Sequence, residues 1–98
     1  MSVLPAQCRA ARALIGWSQD QLATTSKVAK ATIANFEAGR RTPYERTLED
    51  IRAALETAGV IFIEENGEGP GVRLSKLVDP TAGTGGFLVH AELLKVKK

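Results

Sequence analysis

The sequence predicts a mainly α chain: four short helices, then a β-hairpin and a short tail. Three observations carry that expectation. Across residues 5–59, helix-forming segments are punctuated by glycines and capping residues. The stretch "VIFIEENGEGPGVRL" then turns to β-branched and aromatic residues around a glycine-dense turn. Beyond it, "DPTAGTGGFL" places three glycines within four positions. The expected organisation is a helical domain at 5–59, a hairpin at 60–76, and a glycine-rich link with a short C-terminal helix at 77–98.

The first helix is "AQCRAARALIGW", which has no β-branched residue before Ile15. Pro5 suits its first turn, Gly16 its stop, and Ala11, Leu14 and Ile15 its apolar face. Ser18 opens the second helix through a capping box with Gln21. Trp17 and Leu22, on either side of that cap, form an apolar staple. The third helix follows "TTSK", carries Val28, Ile33 and Phe36, and ends at Gly39. "RRTP" is a short basic turn. Thr47 is the expected cap of the fourth helix, "LEDIRAALETA", whose Leu48, Ile51 and Leu55 recur at helical spacing before Gly59 closes it. In the hairpin, Val60 to Ile63 form one strand, and Val72 and Leu74 alternate with Arg73 and Ser75 in the other. Four consecutive apolar residues need cover on both faces, and a lone two-stranded ribbon is marginal in water. A second copy of the chain is the expected source of that cover.

Composition narrows the function classes. With 98 residues, 44% hydrophobic and 24% charged, the chain has the balance of one small globular domain. No stretch approaches the roughly 20 apolar residues of a membrane span. The N-terminus lacks the pattern of a secretory signal, so a soluble cytoplasmic protein is expected. Cys8 is the only cysteine and His90 the only histidine. Neither an internal disulfide nor a metal site is expected, and Cys8 reads as a small buried residue. The net charge of +2 lies in the first half: residues 1–58 hold 8 Lys and Arg against 6 Asp and Glu, and residues 59–98 hold 5 against 5. Such an excess gains meaning only from a motif.

That motif is bihelical. The few residues between the second and third helices force a steep crossing that packs Leu22, Ala23, Val28, Ile33 and Phe36. The outer face of the third helix then carries Lys30, Ala31, Thr32 and Asn35. "SQDQLATTSKVAKATIANFEAGRRTP" resembles the helix-turn-helix of Xre-type regulators, the family of the lambdoid phage repressors and Cro. Ser18-Gln19, Leu22-Ala23, Val28, the "ATI" of 31–33, Glu37, Gly39 and Pro43 carry the likeness, which spans residues 7 to 59 with the flanking helices. The resemblance implies a four-helix lambda-repressor-like domain whose third helix enters the major groove of double-stranded DNA. Carried over by position, Lys30, Ala31, Thr32 and Asn35 face the bases: Asn to adenine, Lys to guanine, small groups to a thymine methyl. Gln19 would hold a phosphate, and Arg40 and Arg41 would grip the backbone. Glu37 would brace the turn. Two positions depart from the family pattern. Lys27 stands where a glycine is usual and must take a costlier conformation or reshape the turn. Ala29 stands where Ser or Thr usually caps.

The tail has a resemblance of its own. "DPTAGTGGFLVHAELL" is similar to the S-adenosylmethionine motif of the adenine methyltransferases of type I restriction–modification systems. It covers about sixteen residues, and the family's catalytic Asn-Pro-Pro-aromatic motif is absent. A glycine turn holds a ligand only when a sheet on either side fixes its shape. No enzyme and no cofactor is therefore expected. The leading expectation is a homodimeric, sequence-specific DNA-binding regulator that acts as a repressor. Two alternatives stay open: an antitoxin-type protein whose C-terminal segment binds a partner protein, and a non-catalytic methyltransferase fragment or fusion remnant.

Overall fold

A computed structural model of the chain describes residues 3–75. Four helices, α1 (Pro5–Ile15), α2 (Gln19–Ser26), α3 (Lys30–Glu37) and α4 (Glu45–Thr57), precede two strands, β1 (Val60–Ile63) and β2 (Gly71–Leu74). The strands pair antiparallel, with Val60 opposite Leu74 and Ile63 opposite Gly71. The mainly helical architecture with a trailing hairpin is the one the sequence predicts. The link and helix expected at 77–98 lie outside the described residues.

Local chemistry sets most of the boundaries. Gly16 ends α1 in the left-handed conformation, at φ 70°, where a side chain would be strained. Ser18 Oγ accepts from the Gln21 N–H at 3.1 Å, and Gln21 Oε1 accepts from the Ser18 N–H at 2.8 Å. That reciprocal pair is the expected capping box. Trp17 is half-buried and packs against the core beside it.

The start of α4 differs from expectation. The helix begins at Glu45, with Tyr44 as the cap residue, and Thr47 lies inside the first turn. Pro43 explains the earlier start: it holds the residue before it extended and itself has no N–H to satisfy. The helix begins as soon as the chain is clear of that restriction, and the Tyr44 carbonyl accepts from the Leu48 N–H at 3.0 Å.

One core runs through the domain. Leu22, Ile33, Ile51, Leu55 and Cys8 are its largest fully buried side chains. On α1 the buried face is Gln7, Cys8, Ala11 and Ile15, and Leu14 is only half-buried. Val60 and Phe62 turn inward onto α1 and α4, where Arg52 stacks over the Phe62 ring at 4.9 Å. The domain thus covers one face of "VIFI" itself. Ile61, 40% exposed, points outward, and Ile63 is half-buried. Gln7 clasps the hairpin to α1: its Nε2 donates to the Gly71 carbonyl at 3.0 Å and the Ile63 carbonyl at 3.4 Å.

Candidate nucleic-acid interface

The turn between α2 and α3 accommodates both departures from the expected pattern. Lys27 has φ 62° and is the one non-glycine with positive φ among the described residues. The chain therefore keeps the turn and accepts a conformation that costs an L-residue roughly 1–2 kcal/mol. Ala29 supplies no side-chain cap. Its carbonyl accepts from the Thr32 and Ile33 N–H groups at 3.0 and 3.2 Å, so α3 still starts in register.

Packing decides which side of α3 faces out. Ile33, Phe36 and Glu37 are buried; Lys30 and Ala31 are exposed; Thr32 and Asn35 are half-buried. Ala31, Thr32 and Asn35 form one wall of an open cleft of about 510 Å³, and Arg41, Thr42, Pro43, Tyr44 and Thr47 form the other. Lys30 Nζ lies 3.2 Å from Asp20 Oδ1 with both side chains largely exposed. A surface pair of that kind is worth little and yields readily to a stronger anion. Arg40 and Arg41 are exposed at the C-terminal end of α3.

Arg40 is tied back to α3. The end of α3 is a paired-bond turn: Gly39, at φ 77°, donates its N–H to the Phe36 carbonyl at 3.0 Å, and the Arg40 N–H reaches back to the Asn35 carbonyl at 2.9 Å. The guanidinium follows its backbone. Arg40 Nη1 donates to Asn35 Oδ1 at 2.7 Å.

Glu37 holds the helices in place from behind. It is 3% exposed and accepts from Arg12 through both oxygens, Nε to Oε2 and Nη2 to Oε1, each at 2.7 Å. Gln19 Nε2 donates to Oε1 at 2.9 Å and Cys8 Sγ to Oε2 at 3.0 Å. Arg9 donates to the Glu37 main-chain carbonyl, and Arg12 Nη1 to the Trp17 carbonyl at 3.0 Å. One carboxylate therefore joins α1, the start of α2 and the end of α3. Burial alone would raise its pKa, but hydrogen bonds from Arg12, Cys8 and Gln19, with the Arg12 charge, outweigh burial and hold it below the ordinary value. Burial, with the Glu37 carboxylate beside it, pushes the Cys8 thiol well up, so Cys8 stays a neutral donor.

The structure brings four of the seven sequence-derived site residues, Ala31, Thr32, Asn35 and Arg41, to one cleft. Arg40 joins them through Asn35, and Lys30 extends the same face. Gln19 sits apart, its amide turned to Glu37. Sequence reasoning passed over Tyr44, which is 87% exposed and lines the cleft. Its place immediately after "RRTP" was the available signal. Among the described residues, no group of three or more His, Cys, Asp or Glu could hold a metal ion, and no helix is long and apolar enough to cross a membrane.

A family model described as helix-turn-helix matches residues 9–59, just over half of the 98-residue chain. The chain belongs to the helix-turn-helix family. It is accordingly a DNA-binding transcriptional regulator of the Xre-like kind. A search of curated proteins finds no match. The helix-turn-helix match stops short of residues 79–88, so the likeness of that stretch to a methyltransferase motif gains no support from it, and the stretch lies outside the described residues.

Proposed function

We propose that this helix-turn-helix protein binds one specific duplex sequence as a homodimer and represses transcription by occupying it. The observation that carries the proposal is the outward face of α3, where Ala31, Thr32 and Asn35 share a cleft with Arg41. Small and amide side chains suit base edges in the major groove, and a cation at the rim suits phosphate. Lys30 opens the same face and exchanges Asp20 for DNA. Gln19, at the first position of α2, offers a phosphate the N–H groups of that helix start. Arg41 and Arg40 add positive charge at the other end of α3.

Dimerisation is assigned to residues 60–76. Ile61 is exposed on the outward face of a two-stranded sheet, with Ile63 beside it. Two copies joined there would present two α3 helices to inverted half-sites about one helical turn apart. Selection from randomised duplexes, followed by binding at several salt concentrations, tests the proposal. The expected outcome is an inverted repeat whose affinity falls by roughly 0.9 log units per log unit of salt for each phosphate neutralised. Equal affinity for all duplexes, or binding indifferent to salt, refutes it.

A further inference from the structure

We infer that Asn35 and Arg40 form a single reading unit that selects guanine, which makes Arg40 a specificity-determining residue and not only a backbone grip. The inference rests on the proposed DNA-binding role of α3. Two bonds join the residues. The Arg40 N–H meets the Asn35 carbonyl at 2.9 Å, and Arg40 Nη1 meets Asn35 Oδ1 at 2.7 Å. The first belongs to the glycine turn at Gly39, so the position of residue 40 over residue 35 is set by the backbone and not by a chance rotamer.

The second bond changes what Asn35 can read. An asparagine that pairs bidentately with adenine accepts from N6 through Oδ1 and donates to N7 through Nδ2. Here Oδ1 is already engaged, and its remaining lone pair lies beside a guanidinium. An adenine N6–H₂ brought to that oxygen would meet the cation. Guanine presents two acceptors, O6 and N7, on the same edge. The Asn35 amide N–H groups and the remaining Arg40 N–H groups are all donors, so the pair matches guanine and opposes adenine. Both side chains border solvent, with Asn35 on the cleft wall, so a base edge can reach them.

Selection from randomised duplexes with the full chain, Arg40→Ala, Asn35→Ala and the double variant tests this. Circular dichroism checks that each variant keeps its helices. The full chain should enrich guanine at one position of each half-site. Each single variant should lose about 5- to 150-fold of discrimination at that same position, and the double variant little more than either. Replacing the selected guanine with 7-deazaguanine, which lacks the N7 acceptor, should weaken the full chain but not Arg40→Ala. The inference is overturned if Arg40→Ala keeps the base preference and weakens every duplex alike, which is the signature of a phosphate contact. Adenine at the Asn35-dependent position overturns it too. In both cases sequence-specific binding itself still stands. A full chain that selects no sequence refutes the proposed function, and this assignment falls with it.

Discussion

Replacing Arg12 with methionine should cost far more than the loss of an ordinary surface cation. Glu37 is 3% exposed, and the Arg12 side chain is 19% exposed. Among the described residues, the guanidinium supplies two of the four side-chain donors that reach the carboxylate, and its charge also favours the ionised form. Removing one partner of a buried pair leaves an uncompensated charge and costs about 3–5 kcal/mol. For a domain this small, each kcal/mol moves the melting temperature by roughly 4–8 °C, so a drop of at least about 12 °C is expected. The pH dependence should change as well. In the native protein the Glu37 pKa is depressed, so its contribution is complete above the unfolded value of about 4.3 and fades as pH falls through the folded value. Without Arg12 the carboxylate keeps the Cys8 and Gln19 donors but loses its strongest hydrogen bond and the opposing charge, so burial counts for more and the pKa rises from its native position. The variant is then penalised most when the carboxylate must ionise, and its deficit should be smaller at pH 4 than at pH 7. Urea unfolding followed by circular dichroism at both pH values measures this. Arg12→Met with Glu37→Met should recover at least half the loss, because an apolar pair leaves no buried charge behind. A deficit below about 1 kcal/mol at pH 7, or one equal at both pH values, would refute the reasoning.

Three further outcomes are expected. Ile61→Lys combined with Ile63→Lys should give a monomer in sedimentation with unchanged helical content, and an unchanged dimer would remove the hairpin from the interface. Lys27→Gly should raise stability by about 0.5–1 kcal/mol by relieving the left-handed conformation, and Ala29→Ser should add about 1 kcal/mol by capping α3; thermal melts read both. Calorimetry of the full chain with S-adenosylmethionine should show no saturable heat, and a micromolar isotherm lost in Gly85→Val would return a ligand site to residues 79–88.

Much of the helical body was legible because its signals are local. The Ser18–Gln21 box, the stops at Gly16 and Gly39 and the strain at Lys27 each depend on a few neighbouring residues. What failed was non-local or chemically silent. Tyr44 heads α4 without any side-chain bond, so Thr47, a better capping residue on paper, drew the boundary too late. "VIFI" has no polar residue to mark an alternation, and its division into buried Val60 and Phe62 and outward Ile61 could come only from packing. In the site, residue type and spacing identified the face of α3. They could not show that Gln19 turns to a carboxylate 18 positions away, or that Arg40 closes on Asn35.

The Gln7 clasp has a consequence for the order in which the chain folds. The amide that receives the hairpin lies in the first helical turn, and its acceptor on Gly71 is 64 positions later. Closing a loop of that span costs entropy before any contact repays it, so the short-range helical pairs have every kinetic advantage. The Gln7 clasp is then expected to close last, onto a helix surface already in place. During synthesis the Gln7 amide waits in water until Gly71 has emerged. Native-state hydrogen exchange should register that order, with the Val60–Ile63 amides opening before those of α2 and α3.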